Sequence, residues 1–303
     1  MILVDRVIAT LKFFDLQDIP VTLFELHRFL LADIFDLKAN LNANWDLTVE
    51  HTGEKVSIDQ VLKCLETDCS LEVECKYGYY ALRGRGQIIE SRWSNYLYGF
   101  KRERLVRRYI WVLSHIPFVR GVAIGGSQAM GQQKQGSDID LLIITENGFM
   151  WLTRTLVSAY FQFLGMRRHG KFVANRFCLN HYLARPKIVD REKNLYKAME
   201  YGRLRPVIYE QNILIFLQQN YGWISSFFPN MSPPLACRKR QSLLQKTGEW
   251  LLGGRFGRWL EEKLKNIELP RIAQDQYTFV LDDELSFHPG SRHSELLKKF
   301  FQA

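Results

Sequence analysis

The sequence predicts an α/β (α+β) protein: a mixed sheet flanked by helices, a winged-helix-like module before it and a helical region after it. Three observations carry that prediction. Apolar runs of strand length at 119–124 and 141–144 are followed by an amphipathic helical stretch at 150–164. Residues before 90 hold two capped helix starts and then two short alternating runs. From 190 to about 253 the apolar spacing is helical, broken by Pro229, Pro233 and Pro234. The implied divisions are 1–88, a connecting helix over 89–116, a sheet-bearing core over 117–188, and a helical region with a tail over 189–303.

In the first module, Thr22 stands before an apolar helical run with Glu25 three residues later. Ser57 and Gln60 repeat the spacing. Each pair has the form of a capping box, in which the side chains at both ends satisfy helix N–H groups that have no partner in the helix. Residues 71–76 and 79–83 alternate apolar and polar around Tyr77-Gly78, the pattern of a hairpin. Helices followed by a hairpin suggest a winged helix packed apart from the sheet. Lys76, Arg83 and Arg85 would make its wing basic, and docking or dimerisation is the alternative use. A long helix is expected over 90–114. It carries Arg92, Lys101, Arg102, Arg104, Arg107 and Arg108, which suit either a phosphate backbone or a solvated face.

The densest chemistry lies between Gly125 and Thr145. Val122-Ala123-Ile124 leads into Gly125-Gly126-Ser127. Ten residues follow, among them Gly131, Lys134 and Ser137, before Asp138-Ile139-Asp140 opens an apolar strand. Residues two apart in a strand share a face, so the two carboxylates should point the same way. Paired carboxylates suit a divalent cation that prefers oxygen ligands and binds alongside substrate phosphates. The glycines allow a sharp turn and a close approach to phosphate. A helix starting near Ser127 would offer its N–H groups, and the Ser127 hydroxyl a further donor.

This segment closely resembles the signature of the DNA polymerase β-like nucleotidyltransferase superfamily, nearest to its minimal and kanamycin-type members. The resemblance covers roughly 117–185 and implies transfer of a nucleoside monophosphate from an NTP such as ATP, with release of pyrophosphate. It implies Asp138 and Asp140 as Mg²⁺ (or Mn²⁺) ligands. Gly125, Gly126, Ser127, Ser137 and Lys134 would then be nucleotide-binding residues. Arg167, Arg168, Lys171 and Arg176, in a basic loop, are further phosphate candidates. The superfamily usually supplies a third carboxylate from a later strand. Here the corresponding stretch, 176–183, has no acid; Asn180 or Cys178 stands in its place. His181 is a candidate base, and Glu200 a candidate acid reaching back from a later helix. A helical bundle after the core is what kanamycin-type relatives carry. Two other readings stay open: a nucleotide-binding regulator that has lost catalysis, and a winged-helix regulator that binds nucleic acid.

Net charge is +9, which favours polyanionic partners such as nucleotides, tRNA or DNA, with a protein acceptor also open. Five scattered cysteines without metal-ligand spacing argue against structural zinc and fit a cytoplasmic protein. No leader peptide or integral membrane segment is expected. The segment 250–260 is apolar and basic. Its aromatics are expected to pack on the helical region rather than lie on a membrane. The tail suggests a strand at 277–281 and a helix at 296–301.

Overall fold

The computed structural model describes residues 2–33, 54–188, 193–232, 242–272, 278–287 and 290–302. The first module holds α1 (Leu3–Asp15), β1 (Val21–Thr22), α2 (Leu23–Arg28), α3 (Ile58–Glu66), β2 (Val73–Lys76) and β3 (Tyr79–Leu82). Both capping boxes are formed, at Thr22/Glu25 and at Ser57/Gln60. The hairpin turns on Tyr77 and Gly78 with φ of 55° and 77°. Two consecutive positive φ values give the tight turn whose twist matches antiparallel strands. β1 adds to β3, making a three-stranded antiparallel sheet in the order β1-β3-β2.

The basic residues of this hairpin are engaged within the protein. Lys76 Nζ reaches Glu90 at 2.5 Å. Arg83 donates to the Ser70 carbonyl, and Arg85 pairs with Asp15 and Asp18.

α4 (Gly86–Val112) starts four residues earlier than expected and ends in a 3-10 turn over Leu113–His115. Arg92 is not on its solvent face. It is buried and donates to the Pro20 and Met130 carbonyls and to Glu25 Oε1. One guanidinium thereby joins the first module, the long helix and the loop after Gly126.

The central sheet has six strands in the order β7-β4-β5-β6-β9-β8: β4 (Val119–Ile124), β5 (Ile139–Thr145), β6 (Phe177–Leu183), β7 (Arg205–Ile208), β8 (Thr278–Val280) and β9 (Glu284–Phe287). Only the β5/β6 pair is parallel, joined through α6 (Met150–Phe163). The remaining described helices are α5 (Gly126–Ala129), α7 (Leu195–Gly202), α8 (Glu210–Phe227), α9 (Leu243–Leu252), α10 (Arg255–Ile272) and α11 (Gly290–Gln302).

Side chains alternate between two cores. Val122, Ile124, Leu141 and Ile143 pack with α4 and α6. Ala123, Leu142 and Ile144 pack on the other face with α7 and α8. That second core continues without a break into Phe13, Phe14, Leu26 and Phe29 of the first module. Phe29 meets Phe228 edge-on at 5.4 Å, and Arg28 donates to the Gly202 carbonyl. The module therefore does not pack separately, as the sequence suggested, because its aromatics complete the cover of the sheet.

Three local expectations are corrected. Residues 207–208 belong to strand β7 rather than to a helix. Pro206 is tolerated there because β7 is an edge strand, and Tyr209, with φ of 46°, breaks the chain into α8. The aromatics of 250–260 do not pack on the bundle: Trp250, Phe256 and Trp259 are exposed. The tail supplies two strands and a helix longer than expected, and β9 pairs with β6. Tyr277, Pro233, Pro234 and Cys237 fall outside the described residues. Among the described residues no helix is long and apolar enough to cross a membrane.

The β6/β9 junction buries a charged cluster. His181 Nε2 lies 3.1 Å from Glu284 Oε1, and Lys187 Nζ lies 3.1 Å from Glu284 Oε2. Burial alone would raise the Glu284 carboxyl, but His181 and Lys187 outweigh it and hold it down to about 2. A depressed carboxyl stabilises the fold above its unfolded value, near 4.5, and loses that contribution as pH falls toward about 2. The contribution is roughly 3 kcal/mol at ~1.4 kcal/mol per pH unit. Urea unfolding between about pH 5 and pH 2 should show this loss, and Glu284→Gln should flatten it.

Candidate active site

The site is built where β4 and β5 end together. β4 delivers the chain to Gly125, whose N–H donates to the Asp140 carbonyl at 2.9 Å. Gly126 then takes φ of 59°, and a Cβ at this position would overlap Asp140 Oδ2. Only glycine serves both requirements. α5 is four residues long, so the expected helix N-terminus is a single turn with little aligned dipole. Gly131, with φ of 63°, bends the loop back under Tyr96, and Ser137 returns it to β5.

Asp138 precedes β5 and Asp140 lies within it. The structure brings Asp138, Asp140 and Cys178 together, with ligand atoms within 4.8 Å of one another. Asp140 pairs with Cys178 in the parallel β5/β6 ladder. The register then shifts, so that Leu142 meets His181. That extra residue in β6 is a bulge, and it sets Asn180 against the site. Asn180 Nδ2 donates to Asp140 Oδ1 at 2.8 Å. An amide and a thiol thus stand beside Asp140 on β6, where the resemblance led a third acid to be expected. His181, one step deeper, is buried and bonded to Glu284, which removes it as a base at this site.

Burial, the Asp138 charge and the Glu200 charge together push the Asp140 carboxyl up to about 7. Burial and the two aspartates push the Cys178 thiol up to about 12, so it stays protonated near neutrality. Crowded acids of this kind lack positive charge. Arg168 provides some, donating to Asp138 Oδ2 and, at 3.3 Å, to Cys178 Sγ. Two carboxylates brought together at the start of β5, with Asp140 pushed up by burial and by the neighbouring acids, suit a divalent cation, whose charge would favour the ionised form of Asp140.

A cleft of about 350 Å³ opens over these groups. Gly126, Ser127, Lys134, Ser137, Asp138 and Asp140 line it from the motif. Gly125, expected to bind nucleotide, does not line it: its N–H is spent on the Asp140 carbonyl and its α-carbon faces Leu204. Glu200 and Arg203 line it from α7 and the residue just after it, and Glu200 is paired with Lys197 at 2.9 Å. Gln17 and Ile19 close it from the first module, and Leu296 from α11.

Arg203 was not singled out in the sequence. Its Nε and Nη2 are shielded from solvent and have no hydrogen-bond partner among the described residues. Its guanidinium lies 4.9 Å from the Phe14 ring centroid and 5.7 Å from that of Phe29, and burial lowers its pKa to about 9. The available signal was its spacing of three from Glu200, which puts the two on one side of a helix. Arg167, Lys171 and Arg176 do not line the cleft. Arg176 instead lies over Phe172.

A mixed sheet with a Gly-Ser turn facing an Asp-x-Asp strand defines a class of phosphate-handling transferases. Residues 109–201 match the family described as Nucleotidyltransferase domain. This chain therefore carries a nucleotidyltransferase domain of the DNA polymerase β-like superfamily. No curated protein and no solved structure matches the chain.

Proposed function

We propose that the protein is a cytoplasmic, Mg²⁺-dependent nucleotidyltransferase that moves a nucleoside monophosphate from an NTP to an acceptor hydroxyl or phosphate. The observation that carries this reading is the pairing of Asp138 and Asp140 at the lip of the Gly126-Ser127 turn, inside the cleft. Asp138 and Asp140 would hold the cation, Mg²⁺ or Mn²⁺. The bound cation would neutralise phosphate oxygens and polarise the reacting phosphorus. Gly126 lets the triphosphate approach the backbone, and Ser127, Ser137 and Lys134 supply donors. Asn180 orients Asp140, and Arg168 orients Asp138. Glu200 is the carboxylate within the cleft from which a base would come.

Arg203 binds an anionic part of the substrate in this reading. A cation with two shielded, unmatched N–H groups beside a phosphate cleft is prepared for phosphate oxygens. Arg203→Met should raise KM for the NTP on the order of 10–100-fold, equivalent to ~1.4–3 kcal/mol. The unliganded protein should change little in stability, because the shielded N–H groups that lack partners are removed together with the ring contacts to Phe14 and Phe29. Thermal melts with and without nucleotide, alongside steady-state kinetics, check both outcomes.

Asn180 and Cys178 at the third position favour a second reading, in which the protein binds nucleotide without transferring it. Incubation with an α-³²P-labelled NTP, Mg²⁺ and fractionated cell extract separates the two. Label in a nucleic-acid, protein or small-molecule acceptor supports transfer. Saturable nucleotide binding with no label transferred to any fraction supports the second reading. The first module, with its helices and three-stranded hairpin sheet, is proposed as winged-helix-like. With Lys76, Arg83 and Arg85 engaged internally, its hairpin is better suited to packing than to reading DNA.

A further inference from the structure

We propose that the exposed face of α4 is a binding rail for single-stranded nucleic acid, and that the bound strand is the acceptor presented to the cleft. The acceptor role rests on the transferase reading above; the binding itself does not. Trp93, Tyr96 and Phe100 are 49%, 42% and 67% exposed. At i, i+3 and i+7 they share one side of the helix. Successive rings are stacked, each pair 6.3 Å apart between centroids, with planes 23° and 22° from parallel. Lys101, Arg104 and Arg108 follow on the next turns. All three are exposed and have no acidic partner among the described residues. Trp111, 59% exposed, extends the same side.

Flat rings interleaved with unmatched cations are what an unpaired strand requires. Bases stack on the rings whatever their identity, and the cations follow the phosphates. A purely apolar protein partner would have to desolvate the three cations without matching them. A second copy docking through this face about a twofold axis would bring like charges together. A duplex hides the faces of its bases, so the rings select single strands.

The rail also leads to the chemistry. Tyr96 packs against Gly131 of the loop from Ser127 to Ser137, and Tyr98 donates at 2.8 Å to Asn175, whose own N–H donates to the Ser137 carbonyl. Lys134 lines both the cleft and a neighbouring hollow formed with Ser91, Ser94 and Asn95 of α4. That hollow lies on the other flank of α4 from the rings, so the Tyr96–Gly131 contact is where a strand on the rail would come nearest the triphosphate loop.

The test uses the full chain and fluorescence anisotropy with labelled oligouridylate, oligothymidylate and a duplex of equal length, at two salt concentrations. Single strands should bind, the duplex more weakly. Affinity should fall with salt, and Arg104→Gln should reduce the logarithmic slope by about 0.7. Trp93→Ala and Phe100→Ala should each weaken binding roughly tenfold, with thermal melts unchanged because both rings are exposed. Asp138→Asn should bind the oligonucleotide as the unaltered protein does, which separates the rail from the transfer site. The arm that binds more tightly identifies RNA or DNA as the strand. The proposal is overturned by no binding at low salt, by equal duplex binding, or by ring variants that bind unchanged. A dimer that becomes monomeric in Trp93→Ala/Phe100→Ala without loss of oligonucleotide affinity would assign the face to self-association and overturn it too.

Discussion

Replacing Asp138 and Asp140 together by asparagine should abolish Mg²⁺-dependent nucleotide turnover while leaving the fold intact. The two carboxylates are the concentrated negative charge of the cleft, and Asp140 is already pushed up to about 7 by burial and by its neighbours. Asparagine preserves shape and some hydrogen bonding but removes the charge that a hard divalent cation needs. Loss of electrostatic stabilisation in such sites costs on the order of 10²–10³-fold for one group, and here two are removed. Pyrophosphate release measures the loss. The unliganded double variant should melt no lower than the parent, since like-charge repulsion is relieved. Mg²⁺ with NTP should raise the melting temperature of the parent alone.

Gly126→Ala should be nearly as damaging from the opposite side of the cleft. The added Cβ would overlap Asp140 Oδ2, and φ of 59° is unfavourable for alanine by ~1–2 kcal/mol. Either the turn or the carboxylate must move. A displacement of about 1 Å at a reacting centre can reduce rate by ~10²-fold. The kinetic signature should be a lower kcat together with a higher KM, because the same turn is proposed to carry the triphosphate. Gly136→Ala is the control: it meets nothing within 4 Å and should be close to neutral.

The core of the site was legible because its signal is local. The strand-turn-strand frame from Val119 to Thr145, the shared side of Asp138 and Asp140, and the missing acid in 176–183 all follow from short-range spacing. Both capping boxes and the Tyr77-Gly78 turn were legible for the same reason. What was not legible depends on distant pairing. Arg168 was one of several basic loop residues until β6 aligned it with Asp138. Arg203 acquires meaning only when α7 packs over the cleft with Phe14 and Phe29 beneath it. His181 read as a candidate base, but a bulge in β6 carries it one step deeper, onto Glu284 of a strand about a hundred residues later. Residues 207–208 of β7 read as the start of a helix because a strand of four residues around a proline carries too little periodicity to distinguish the two. The first module was expected to stand apart because its own pattern is complete. Its aromatics nonetheless fill the second core.

The most direct measurement is anomalous scattering from crystals grown with Mn²⁺ and an NTP analogue whose α–β bond cannot be cleaved. A manganese peak is expected beside both the Asp138 and Asp140 carboxylates, with the triphosphate against Gly126 and Ser127 and within reach of Lys134 and Arg203. A nucleotide bound elsewhere, or bound in this cleft with no metal beside the two aspartates, would contradict that expectation.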